Sequence, residues 1–264
     1  MTIRITSRNA RFQQWEALLH NRTKRRRQGE FLVQGVRPIT LAIQHGWTIR
    51  TLISDGRARM STWAGEVWEG STADHVVMAP ELLAELGEKN EPSELLAVVA
   101  MPLDSLARLD PAGLTVVFDR ATQPGNLGTL ARSADAFGAS GLIVTGHAAD
   151  PYDPRAVRAS TGSLFALTVV RAPSHREVLE WAEPHGIRTV GTDETGSIDV
   201  RSADLTGPLL IVVGNETAGM TVAWKEACDV LVSIPMAGSA SSLNAATAGS
   251  IVLEEAFRQR RPAL

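Results

Sequence analysis

Short apolar runs recur through the second half of the chain, at residues 115–118, 141–145, 167–170, 187–190, 209–213 and 230–234, separated by segments with helical spacing. A strand that is apolar all along its length has to be covered on both faces, so this alternation predicts an α/β fold with a parallel sheet between helices. The helix expected over residues 174–183 carries a capping-box pattern, Ser174 with Glu177.

The first hundred residues read differently. An amphipathic segment over 8–19 leads into a basic run, then a short strand at 31–33 bounded by Gly29 and Gly35. A helix is expected from Arg37-Pro38 to Gly46, strands at 51–53 and 76–78, a helix over 80–86 and a last strand at 95–99, together a small α/β/α unit. Pro102, Asp104, Asp110, Pro111 and Gly113 mark a linker. Two domains follow, residues 1–103 and residues 104–264, and a chain of 264 residues with 44% hydrophobic side chains can build a core in each.

A single cysteine, Cys228, excludes an internal disulfide and leaves a zinc site without its usual ligands, so no metal is expected and Cys228 reads as a small buried residue. No apolar stretch is long enough for a membrane span and the first residues lack the core of a signal peptide, which points to a cytoplasmic protein. The net charge of −3 hides an asymmetry: residues 1–30 hold eight basic side chains against Glu16 and Glu30. Such a basic segment is the footprint of phosphate binding, which makes Lys24, Arg25, Arg26 and Arg27 candidate nucleic-acid contacts.

Three loops leave the carboxyl ends of the expected parallel strands, where ligands bind in open sheets. The first, 118–128, enters a helix whose inner stripe is Leu127, Leu130, Ala131 and Ala134. Asn126 suits an N-cap, and Arg132 falls off the stripe, where it reads as a solvated charge or as a group held out for a ligand. The second, Gly214-Asn215-Glu216-Thr217-Ala218-Gly219, is bracketed by glycines and fits neither the dinucleotide fingerprint nor a P-loop. A nicotinamide-dependent oxidoreductase is thereby disfavoured. The third runs from Pro235 to Ser242 and enters a helix reaching about Arg260, whose Ala245, Ala246, Ala248 and Gly249 let another element pack closely; Ser242 and Asn244 can cap it.

Taken together, Asn126-x-Gly128-x-x-x-Arg132, Gly214-x-Glu216-x-x-Gly219 and Ile234-Pro-Met236 followed by Ser242-Leu-Asn244 resemble, in order and spacing, the three motifs of the TrmH/SpoU methyltransferases. Residues 29–35, with the basic helix before them, resemble that family's ribosomal-protein-like substrate-binding domain. The resemblance implies an S-adenosylmethionine-dependent RNA ribose 2′-O-methyltransferase, with a trefoil-knotted catalytic domain and an active site formed in a homodimer. It places Gly214, Ile234 and Leu243 at the cofactor, and Arg132, Asn126, Glu216, Ser242 and Asn244 around the reacting centre. The appended N-terminal domain favours ribosomal RNA over transfer RNA; a transfer-RNA enzyme and a non-catalytic RNA-binding dimer are the alternatives. Two departures from the family pattern, Asn90-Glu91-Pro92-Ser93-Glu94 before the last N-terminal strand and Ala245-Ala246-Thr247 after the third motif, bear on substrate choice.

Overall fold

The computed structural model describes residues 2–56, 60–87 and 93–261, which leaves Asn90, Glu91 and Pro92 outside the described residues. Met1–Pro102 and Tyr152–Phe165 form one compact unit, and Leu103–Pro151 with Ala166–Leu264 form a second. Sequence patterning drew one break, between residues 103 and 104, and did not set the segment Tyr152–Phe165 apart.

The first unit runs β1 (Thr2–Ile5), α1 (Ala10–His20), α2 (Arg22–Gln28), β2 (Glu30–Gln34), α3 (Val36–Gln44), β3 (Ile49–Ser54), α4 (Thr62–Gly70), β4 (Asp74–Met78), α5 (Pro80–Gly87) and β5 (Leu95–Ala100). Its five-stranded sheet has the order β1-β4-β3-β5-β2, with β5 antiparallel to both neighbours. Phe12, Trp15, Leu18 and Leu19 of α1 pack on Leu32, Ile53, Val76 and Val98 of the sheet and close the core on that side. Burying four such side chains is worth roughly 1.5–3 kcal/mol each before the cost of ordering them.

Helix α2 carries the basic run, and Arg25 turns inward from it. Only 2% of Arg25 is exposed; its guanidinium donates to the carbonyls of Leu18 (2.7 Å) and Leu19 (3.2 Å) and lies 3.6 Å from the Asp153 carboxylate. A cation there satisfies carbonyls in the last turn of α1 and complements that helix's negative end. The expectation that Arg25 contacts RNA is corrected by this burial, whereas Lys24, Arg26 and Arg27 remain at least partly exposed.

The chain then continues through β6 (Leu114–Asp119), α6 (Pro124–Ala136) and β7 (Gly141–Thr145) to α7 (Pro154–Ser160), which belongs to the first unit. There the rings of Tyr152 and Phe165 join those of Phe31 and Trp47 at centroid distances of 4.7 Å (Phe31–Tyr152) and 5.1 Å (Trp47–Phe165). The Trp47 indole N–H, which buried indoles need to pair, donates to the Phe165 carbonyl at 2.9 Å.

The second unit is completed by β8 (Thr168–Ala172), α8 (His175–Ala182), β9 (Arg188–Thr192), β10 (Ile198–Asp199), β11 (Leu209–Val213), α9 (Val222–Ala227), β12 (Val230–Ser233) and α10 (Ala245–Arg260). Its seven-stranded sheet, β10-β12-β9-β11-β6-β7-β8, is parallel throughout, as the apolar runs predicted. Every residue of β6, β7 and β11 is buried. The Ser174–Glu177 capping box does not form: Ser174 is the N-cap of α8, but its side chain makes no capping hydrogen bond.

Two packing details position the site. The chain passes from β9 to β10 through residues 193–197 although β12 lies between those strands, so this connection crosses the end of β12. At the crossing, a Cβ on Gly196 would lie 2.6 Å from the Val232 carbonyl carbon and 2.8 Å from the Ser233 nitrogen, which leaves room for glycine alone. Helix α10 packs equally close to α6 and β11, since a Cβ on Gly249 would lie 2.6 Å from Leu130 Cδ1 and 3.0 Å from Val213 Cγ2. The small residues of α10 were read as room for another element; that element is α6 of the same chain, with Ala245, Ala246 and Gly249 buried. Ala248, on the same helix, is half-buried and lines the cleft described below.

Candidate active site

The loop after β11 is closed on itself. Asn215 and Gly219 exchange two backbone hydrogen bonds of 3.0 Å, and Asn215 Oδ1 accepts from the amides of Thr217 and Ala218 at 2.9 Å each. Gly219 has φ +65, and a Cβ on Gly214 would meet the Met220 nitrogen at 2.3 Å. Both glycines are thus required by the fold-back, Gly219 for its left-handed backbone and Gly214 for the close approach. The Asn215 amide also donates to the Arg120 carbonyl at 2.7 Å, tying this loop to the one after β6. Arg120 itself is held at φ +50, donates to the Gly219 carbonyl at 3.0 Å and pairs with the buried Asp119.

Glu216 is the hub of the arrangement. Its carboxylate accepts from the Thr122 amide (2.9 Å), the Thr122 hydroxyl (2.8 Å), the Gln123 amide (3.0 Å) and the Asn126 side-chain amide (3.1 Å). Gln123 is the N-cap of α6 and Pro124 its first residue, so the carboxylate sits at a helix N-terminus, which favours negative charge. Burial works against the ionised form, but the donors from Thr122 and Gln123 outweigh it and hold the carboxyl below its ordinary value. Asn126 therefore does not cap α6 as expected; it lies inside the first turn with its side chain free to bond.

From Asn126 the network reaches the third motif. Asn126 Oδ1 accepts from the Asn244 amide at 3.1 Å, and Asn244 Oδ1 caps α10 by accepting from Ala246 (2.9 Å) and Thr247 (3.2 Å). One chain of hydrogen bonds, Glu216 to Asn126 to Asn244, thus joins loops that are far apart in sequence. Beside it opens a cleft of about 280 Å³ whose lining includes Gly214, Glu216, Ile234, Ser242 and Leu243.

Sequence reading missed the opposite wall. Asp193 and Lys225 line the cleft as an ion pair of 2.6 Å, with the Asp193 side chain only 6% exposed. Burial raises the Asp193 carboxyl, but hydrogen bonds from Lys225 and Thr195 more than compensate and leave it below its usual value. The local signal, Asp193-x-Thr195, marks a turn; nothing near either residue announces a pairing across the sheet.

Comparison with known proteins gives the family of the chain. Residues 113–254 match the SpoU rRNA Methylase family and residues 9–97 the SpoU L30e-like domain. A 23S rRNA (uridine(2479)-2′-O)-methyltransferase of Streptomyces viridochromogenes is 59% identical over 97% of this chain and 92% of its own length. The chain belongs to the SpoU rRNA methylase family.

Solved structures agree with that membership. The SpoU methyltransferase AviRb of S. viridochromogenes, in complex with AdoMet, superposes with a TM-score of 0.91 at 58% identity, over 96% of this chain and 98% of the other. An AdoMet-bound rRNA methyltransferase of Sinorhizobium meliloti gives 0.87 at 31% identity, covering 97% of this chain and 98% of that one. The α/β architecture and the methyltransferase class implied by the three motifs both hold.

Within this SpoU chain the motif residues fall into two groups. Asn126, Glu216 and Asn244 are bonded to one another, while Gly214, Ile234, Ser242 and Leu243 share the cleft with Glu216. Arg132 joins neither group: it lies on the exposed side of α6, makes no hydrogen bond or ion pair among the described residues, and is not part of the cleft lining. Cys228, at the end of α9, is half-buried, and burial with the neighbouring Asp229 pushes its thiol up to about 12, the opposite of what activates a thiol nucleophile. Among the described residues no three His, Cys, Asp or Glu side chains are grouped to hold a metal ion, and no helix is long and apolar enough to cross a membrane.

Proposed function

We propose that this SpoU-family chain transfers the methyl group of S-adenosylmethionine to a ribose 2′-hydroxyl of RNA, with 23S ribosomal RNA as its substrate. The observation that carries the proposal is the Glu216–Asn126–Asn244 chain, which binds three loops to the rim of one cleft. The cleft suits the cofactor: Val213, Ile234, Leu243 and Ala245 offer an apolar surface for a flat purine, and Asp193 and Lys225 offer charge for a zwitterionic end. The curated relative acts on a uridine 2′-oxygen of 23S rRNA and two of the structural neighbours hold AdoMet.

Bound in the cleft, the cofactor supplies an electrophilic methyl group on its sulfonium. The chain's own task is to hold the ribose in line with it, because a hydroxyl is a poor nucleophile until its proton is partly removed. Glu216, Asn126, Asn244 and Ser242 position the ribose through hydrogen bonds. The Arg132 guanidinium, a permanent cation, orients a substrate phosphate and stabilises developing charge.

Since Arg132 does not line the cleft of its own chain, we assign the working form to a homodimer in which it serves the cleft of a second copy. The crossing of residues 193–197 over β12 supports the trefoil knot, a topology that general rules of chain connection disfavour. We assign RNA binding to residues 1–103, through Lys24, Arg26 and Arg27, and catalysis to residues 104–264, in a cytoplasmic enzyme. Titration calorimetry of the full chain with S-adenosylmethionine tests the cofactor site. Saturable binding is expected, and no heat at millimolar cofactor contradicts the proposal.

A further inference from the structure

The first unit has a cleft of its own, about 220 Å³, between the end of β2, the start of α3 and the last turn of α7. Leu32, Leu86 and Leu96 supply an apolar floor, and Arg37 and Arg158 stand among its lining residues. Gln34 is also among the lining residues, and its Oε1 is buried without a hydrogen-bond partner. A buried acceptor left unpaired costs about 1–3 kcal/mol, so its retention calls for a donor that arrives from outside. Beside it, Gly35 enters α3 at φ +96 without any side-chain cap, and Pro38 has no N–H to offer; the amides of Val36 and Arg37 are the ones that a helix N-terminus turns toward an anion.

We propose that this cleft takes one unstacked nucleotide of single-stranded RNA. Its base enters the apolar slot and gives an N–H to Gln34 Oε1, and its phosphate meets Arg37 and the start of α3. The volume is below the about 300–1,000 Å³ of sites for drug-sized ligands and suits a single flat ring system. RNA-binding proteins read sequence in this way, on bases that are out of the stack, with an apolar surface under the ring and a polar group at its edge. The proposal rests on the reading of residues 1–103 as an RNA-binding domain. It goes beyond that reading by locating base recognition away from the basic run of α2.

The test compares short oligouridylate and oligocytidylate with oligomers of the same length that carry abasic riboses, by fluorescence anisotropy on the full chain. The native protein is expected to bind intact oligomers about tenfold more tightly than abasic ones. Gln34→Met, which fills the slot and removes the orphan acceptor, is expected to abolish that difference while melting no lower than the native chain. Arg37→Gln is expected to weaken both oligomers and to reduce the salt slope by about 0.7. Equal affinity of the native chain for intact and abasic RNA overturns the proposal, as does a Gln34→Met chain that still discriminates. Calorimetry with S-adenosylmethionine separates the two levels: a native chain that binds the cofactor but does not discriminate intact from abasic RNA refutes this cleft alone, whereas a native chain that binds no cofactor refutes the methyltransferase reading.

Discussion

Two loops flank the same cleft and are built in opposite ways. Residues 214–219 fold back on themselves, bond to the loop after β6 and carry Glu216 into a nest of four donors. Residues 235–242 are exposed along their whole length and make no hydrogen bond among the described residues. The first loop is ordered before any ligand arrives, whereas the second has little local structure to lose and is free to close over a cofactor. On the proposed reading, the rigid loop holds Glu216 in place for the ribose, while the open loop is the part that moves when the cofactor binds.

The rigid side should break hardest. Glu216→Ala strands the Thr122 and Gln123 amides and unties Asn126; unfolding in urea should show a loss of about 2–4 kcal/mol, and methyl transfer should fall by roughly a hundredfold. Gly214→Ala forces a Cβ against the Met220 amide, and the same urea experiment should show about 1–3 kcal/mol lost together with weakened cofactor binding. If either variant is as stable as the native chain, the hub is not rigid.

Hydrogen exchange sharpens the contrast from the other side. With cofactor at about ten times its dissociation constant, amides of residues 235–242 should exchange roughly tenfold more slowly, while those of 214–219 should be slow already and change little. Acid should affect the rigid loop late. Because the Glu216 carboxyl is held below its ordinary value in the folded chain, its contribution is full above the unfolded-state value of about 4.3 and is lost only as pH falls through the lower folded value. Exchange of the 214–219 amides should therefore stay slow, once corrected for intrinsic pH dependence, down to about pH 4.3; faster exchange already at pH 6 would contradict the sign. Ser239→Ala, on the open loop, should shift stability by less than about 0.5 kcal/mol.

What the sequence showed of this site was what local pattern encodes. The β11 run Leu209–Val213 and the glycines at 214 and 219 mark a buried strand and a tight fold-back, and Asn244 caps α10 as expected. What it hid depends on partners distant in the chain. Asn126 looks like a cap until Pro124 starts the helix earlier and Glu216 claims the amide. Arg25 looks like its neighbours until the carbonyls of Leu18 and Leu19 and the carboxylate of Asp153 surround it. The small residues of α10 say that something packs closely, but not that it is α6. Likewise Asp193 and Lys225, thirty-two positions apart, carry no shared pattern before the sheet brings them together.

The central claim is that one cleft, organised by Glu216 and completed by Arg132, methylates a ribose. Its most direct test is to incubate 23S ribosomal RNA with S-adenosylmethionine labelled in its methyl group and either the native chain or Arg132→Ala, then digest the RNA and identify the labelled nucleoside. The account predicts one 2′-O-methylated nucleoside with the native chain and a loss of rate on the order of 10²–10³ with Arg132→Ala, at unchanged melting temperature and cofactor affinity. Label on a base rather than a ribose, or normal turnover by Arg132→Ala, would contradict it.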